Sequence, residues 1–172
     1  MMEKIKAGLA LIDRINVGVG KRVSFVGLFF IGTVLYEVFA RYLFASPTIW
    51  SFEMTTFLCG GTYILGGGWV LHERRHVAID IISLKLSLRA RAILSLITYG
   101  CFFFPFMIVL FWETIDQAIW SWSIWEREYV STWHAPLYPI KTLIPFAIFF
   151  LLLQGVANFI RELFFVIKRE KI

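Results

Sequence analysis

The segment VSFVGLFFIGTVLYEVFARYLF, Val23–Phe44, decides the fold. A bilayer core takes about 20 helical residues, and this stretch is long enough to cross it. It carries only two charges, Glu37 and Arg41. A charge near the membrane centre costs roughly 2.5–3.5 kcal/mol on insertion scales, so each needs a partner and a purpose. The run is too long for the apolar core of a secretory leader and has no clear small-residue cleavage site, so it reads as a retained first helix.

Outward from this segment the chain continues in the same vein. Of 172 residues, 59% are hydrophobic, with 18 Phe and 7 Trp, and the mean hydropathy is +0.73. A soluble domain of this size would need far more charged surface, so the chain reads as all-α and integral to the lipid bilayer. Three further runs, approximately Trp50–Leu71, Ala90–Trp112 and Thr142–Ile167, are long enough to span. Lipid leaves no partner for a bare backbone amide, so all four are expected as helices of a single membrane domain, residues 1–172.

Basic residues orient the spans. The N-terminal tail holds Lys4, Lys6, Arg14, Lys21 and Arg22; the second loop holds Arg74, Arg75, Lys85, Arg89 and Arg91. The C-terminal end adds Arg161, Lys168, Arg169 and Lys171, whereas Ala45–Ile49 carries no charge. The third loop sets Arg127 against Glu113, Asp116, Glu126 and Glu128. The positive-inside rule then puts both termini in the cytoplasm. The net charge of +5 reports this topology and not nucleic-acid binding.

Trp50, Trp112, Trp120, Trp122, Trp125 and Trp133 gather on the expected outer side, as an interfacial belt does. A stacking platform for sugars or bases is the sharper alternative, and the less common one. Two short amphipathic helices are expected along the cytoplasmic surface. One carries Ile5, Leu9, Ile12 and Val19 on one face, the other Val77, Ile81, Leu84 and Leu88.

Glu37 and Arg41 are four apart, the favourable order for a helical ion pair, and Glu53 opens the returning second helix at similar depth. A tight hairpin would bring the three together, with Arg41 shared between two carboxylates. This is either an ion or substrate site or a polar clamp, between helices or to a partner subunit. With no further carboxylate, amide cluster or broken helix nearby, the clamp is preferred.

Thr55, Cys59, Thr62 and Gly66 form a small-residue stripe suited to close helix packing. The run Gly66-Gly67-Gly68 has the composition of an unwound transporter break, but no matching break occurs elsewhere, so packing is the reading kept. His72 and His76 have metal- or haem-ligand spacing, yet His134 is expected across the membrane and no facing pair exists. Arg74, Arg75, His76 and Asp80 make a charged cytoplasmic loop suited to headgroups. Cys59 and Cys101 lie in apolar runs without CxxC spacing. No nucleophile–base set, phosphate loop or paired catalytic acids appears, so neither an enzyme, a cofactor nor a metal site is expected.

These residues resemble a known family. Arg41-Tyr42-Leu43-Phe44 followed by Pro47, Trp50 and Glu53, then His76-Val77-Ala78-Ile79-Asp80, then Trp133 and Pro136, are similar to the small, DctQ-type membrane subunit of tripartite ATP-independent periplasmic (TRAP) transporters. Phe52 departs from it, standing where a polar or acidic residue often precedes the Glu, and Glu73-Arg74-Arg75 replaces a Gly-containing lead-in. The resemblance implies a bacterial inner-membrane complex with a large, elevator-type transport subunit. It also implies a periplasmic solute-binding protein and sodium-coupled uptake of an organic acid. In that complex the small subunit braces its partner and helps dock the binding protein. The alternatives are a small self-sufficient channel or transporter, with Glu37 and Glu53 lining its path, or a membrane oxidoreductase subunit.

Overall fold

The computed structural model describes residues 2–73 and 87–168 and is helical throughout the long elements. Helix α1 is Met2–Leu43, α2 Ser51–His72, α3 Leu88–Thr98, α4 Phe104–Ser123 and α5 Tyr138–Lys168. A single π turn, Tyr99–Phe103, joins α3 to α4. Its cause is local. Pro105 donates no amide hydrogen and its ring would press on the carbonyl one turn back, and the wider turn, closed by Phe104 N–H to Tyr99 O, avoids both.

Three helical stretches are long and apolar enough to cross a membrane: Glu3–Leu43, Leu88–Ser123 and Tyr138–Ile167. Helix α2 is not among them, although it has 22 residues, because five glycines, three threonines and the charge of Glu53 dilute its apolar content. The outward faces of the helices are rich in bare hydrophobic side chains, Phe25, Leu28, Phe29, Tyr63 and Phe102 among them. In water such a surface would be an aggregation hazard; in lipid it is the solvent-matched side.

Two elements differ from the reading of the sequence. The tail is not a separate surface helix: it continues into the first apolar run as one helix of 42 residues. At about 1.5 Å per residue it is roughly 60 Å long, about twice the bilayer core. Of its apolar stripe, Leu9 is buried and Ile5 and Ile12 are half-buried. The third helix likewise does not stop at Trp112 but runs to Ser123, since Glu113 and Asp116 sit within a helical stretch and not in a loop. The second surface helix expected, Val77 to Leu88, lies outside the described residues except for Leu88, which opens α3.

Helix α5 packs against each of the other helices, α1 and α2 on one side and α3 and α4 on the other. Small residues decide how closely. A Cβ at Gly68 of α2 would collide with the Asn16 side chain of α1, and one at Gly155 of α5 would collide with the Phe103 ring from the π turn. Only glycine allows these approaches, the usual means of bringing helices together where lipid supplies no hydrophobic drive.

Candidate functional site

Two polar constellations stand out, one at each end of the helix bundle. The first lies at the α1–α2 hairpin. Ala45 adopts a left-handed conformation (φ 49°), and the Ser46 amide reaches back to Ala40 O at 3.0 Å, which closes α1. The loop then folds over the last turns of α1. There Glu37 Oε2 accepts from the Thr48 amide at 3.2 Å, from the Thr48 hydroxyl and from Ser51 Oγ at 2.8 Å. Glu37 Oε1 accepts from Arg41 Nε at 3.0 Å and Nη2 at 2.6 Å. One carboxylate thus ties the loop to the helix, using its oxygens on this chain's own donors.

The charged trio therefore divides. Among the described residues Arg41 pairs with Glu37 and with no second carboxylate, and its side chain is 56% exposed. Glu53 is buried, and among the described residues its Oε2 has no hydrogen-bond partner. The reason is positional: the loop brings Thr48 and Ser51 to Glu37, while Glu53, two residues further, turns into the bundle. Tyr36 stacks on Trp50 with ring centroids 5.7 Å apart. Shallow apolar grooves flank this stack, one against Phe25, Leu28 and Phe29, the other against Phe39, Phe44 and Pro47.

The second constellation was invisible in the sequence reading. At the opposite end, Asp13 and Asn16 of α1 meet His72 of α2 and Gln154, Asn158 and Arg161 of α5. The Asp13 carboxylate accepts from Arg161 Nη1 at 3.2 Å and from Arg161 Nη2. It also accepts from Gln154 Nε2 at 3.0 Å and pairs with His72 Nδ1 at 3.1 Å. A carboxylate only accepts, so Nδ1 of His72 carries the proton and donates. Gln154 Oε1 accepts from Asn16 Nδ2 at 3.0 Å. Asn158 Nδ2 donates to Leu71 O at 3.2 Å and to the Tyr99 hydroxyl at 3.3 Å. Asn16, Gln154 and Asn158 are all buried.

This junction touches α1, α2, α5 and the π turn. His72 is thereby a structural partner of Asp13. Its companion His76, with Arg74, Arg75 and Asp80, lies outside the described residues. The missed signal was a periodic one: Gln154, Asn158 and Arg161 fall at i, i+4 and i+7, one face of an otherwise apolar helix, and Asp13 and Asn16 fall at i and i+3.

Of the small-residue stripe, Cys59 is exposed, Thr55, Thr62 and Gly66 are half-buried, and a Cβ at Gly66 would meet nothing within 4 Å. The close contacts within the chain fall on a different set, Gly61 against Leu143, Gly67 against Leu151 and Gly68 against Asn16.

Beyond α4 the chain forms a small hairpin, with Arg127 bridged to Pro136, Glu128 N–H on Ala135 O and Leu137 N–H on Glu126 O. Trp125 and His134 take the left-handed conformation at its corners (φ 51° each). Glu126 pairs with Lys141 Nζ at 2.6 Å, and this contact holds its carboxyl below the usual Glu range. Trp122 donates to Thr142 Oγ1 at 2.8 Å and packs on Tyr138 with centroids 4.4 Å apart. Part of the expected aromatic belt thus clasps the α4–α5 connection. Among the described residues no group of three or more His, Cys, Asp or Glu is placed to hold a metal.

Neither a curated protein nor a solved structure matches the chain significantly. A family model does match: residues 30–165, well over half the chain, fit the model described as tripartite ATP-independent periplasmic transporters, DctQ component. The matched region takes in the Glu37–Arg41 hairpin and most of the buried junction, and the chain belongs to the DctQ component family of TRAP transporters.

Proposed function

We propose that this chain, as one four-helix membrane domain, braces the large transport subunit of a TRAP transporter in a bacterial inner membrane. It has no chemistry of its own. The large subunit and a periplasmic solute-binding protein then carry out sodium-coupled uptake of an organic acid, and the hairpin ends of this chain help dock the binding protein. Both termini lie in the cytoplasm, and α2 is the fourth span, shielded from lipid in part by its neighbours. The basic N-terminal and C-terminal residues support this orientation.

The observation that carries the bracing role is the state of Glu37. Its carboxylate is occupied by Arg41, Thr48 and Ser51 of its own hairpin. A group spent on shaping a loop is poorly placed to bind and release a transported ion. Arg41 and the stripe of Thr55, Cys59, Thr62 and Gly66, half-buried but for the exposed Cys59, then serve as the clamp and packing face toward the large subunit. Glu53 keeps a second reading in play, because a buried carboxyl oxygen without a donor is what a small self-sufficient transporter would use along its path.

One experiment separates the two. Glu53→Gln and Arg41→Ala are compared for retention of the large subunit and for solute uptake. Bracing predicts that Arg41→Ala sheds the partner and that Glu53→Gln leaves flux intact. Lost flux in Glu53→Gln with the complex fully assembled would sink the bracing role.

A further inference from the structure

We propose that Asp13, Asn16, His72, Gln154, Asn158 and Arg161 form a register lock. The lock fixes the inner half of α1 on α2 and α5 at a single height and makes Met2–Leu43 one rigid post. Its loss releases that half while the outer hairpin stays folded.

Apolar packing alone leaves the register open. The inner half of α1 offers Ile5, Leu9 and Ile12 at helical spacing, and one turn of slip, about 5.4 Å, would put similar apolar groups in one another's places. The polar groups remove this freedom. Asp13 accepts from Arg161, Gln154 and His72 on two other helices, and Gln154 accepts from Asn16. Asn158 holds Leu71 O and the Tyr99 hydroxyl. A slip of one turn breaks the bonds of α1 together and strands buried donors, the circumstance in which a polar group in an apolar interface specifies alignment.

A steric key coincides with the polar one. Gly68 lacks a side chain where the Asn16 amide sits, and Gly20 of α1 lacks one where Trp69 sits, its Cβ 2.6 Å from an ideal Cβ at that position. The two glycine contacts lie about one turn apart along α1, beside the polar junction. Two unrelated kinds of fit therefore agree on one register. The inner half needs such a device because roughly half of a 42-residue helix extends past the bilayer core, where lipid no longer confines it.

The test is hydrogen–deuterium exchange on the full chain in its purified membrane complex, read by mass spectrometry over residues 5–20 and 25–43 separately. Three variants break the lock by different chemistry: Asp13→Asn, Arg161→Gln and Gly68→Val. Each should raise exchange across residues 5–20 by about tenfold or more, with residues 25–43 unchanged. The milder Asp13→Asn keeps the side-chain shape and covers the case in which Gly68→Val fails to fold. Unchanged exchange in Asp13→Asn and Arg161→Gln would overturn the lock. A rise spread equally over both halves of α1 would overturn it as well, because the junction would then hold up the whole bundle and not one register.

Discussion

Gln154→Leu is the sharpest probe of what holds the helices together. Gln154 is fully buried at the centre of the junction, and leucine nearly conserves its volume. The change removes two bonds between helices, from Asn16 Nδ2 and to Asp13 Oδ1, each 3.0 Å long. Hydrogen bonds between membrane helices average ~0.6 kcal/mol and reach ~1.7, so the pair contributes about 1–3 kcal/mol. Asn16 keeps its bond to Ile12 O at 3.2 Å, and Asp13 keeps Arg161 and His72, which caps the penalty for stranded groups. At roughly 2–4 °C per kcal/mol for a chain of this size, the apparent unfolding midpoint should fall by about 2–12 °C. Thermal unfolding followed by tryptophan fluorescence in one detergent measures it. Val156→Leu, on an exposed face of the same helix, is the control and should move the midpoint by less than about 1 °C. Equal shifts for the two would refute the assignment of cross-helix stabilisation to this amide.

Other expectations follow from single contacts. Glu37→Leu strips Thr48, Ser51 and Arg41 of their acceptor, so a cysteine placed at Ala45 should label faster with a maleimide than in the parent chain. The Glu126–Lys141 pair has a folded Glu pKa below the ordinary value, so its contribution is present at neutral pH and disappears as pH falls through that lowered pKa. Glu126→Gln should therefore flatten the acid limb of the stability–pH curve, by less than about 1 kcal/mol because water screens the pair. In the isolated subunit, Gly155→Ala should lower the unfolding midpoint by collision with the Phe103 ring. Gly60→Ala, with nothing within 4 Å, should raise it slightly, worth up to about 1 kcal/mol of helix propensity.

The helices themselves were legible because length and hydropathy are local properties. The run Val23–Phe44 lies within α1 except for Phe44, one residue past its end, and Trp50–Leu71 differs from α2 by one residue at each end. The Glu37–Arg41 pair was legible for the same reason, as an i, i+4 relation within one helix. The junction was not, because its members are scattered over α1, α2 and α5 and each looks like a lone polar residue until the helices are aligned. Small residues cover the circumference of α2, so spacing alone does not say which of Thr55-Cys59-Thr62-Gly66 and Gly61-Gly67-Gly68 packs within the chain, and the close contacts there fall on the glycines. The stripe of Ile5, Leu9 and Ile12 suits lipid and a neighbouring helix equally well, so its spacing alone reads as a surface helix. Asp13 and Asn16, on the same side as that stripe, were the hint that it meets protein.

Reconstitution tests the bracing account most directly. The chain is purified in mild detergent, its companions are identified, and solute uptake is measured in liposomes with the chain alone and with the companions. The account predicts that a large polytopic membrane protein co-purifies and that uptake requires both. Uptake by liposomes containing this chain alone would contradict it.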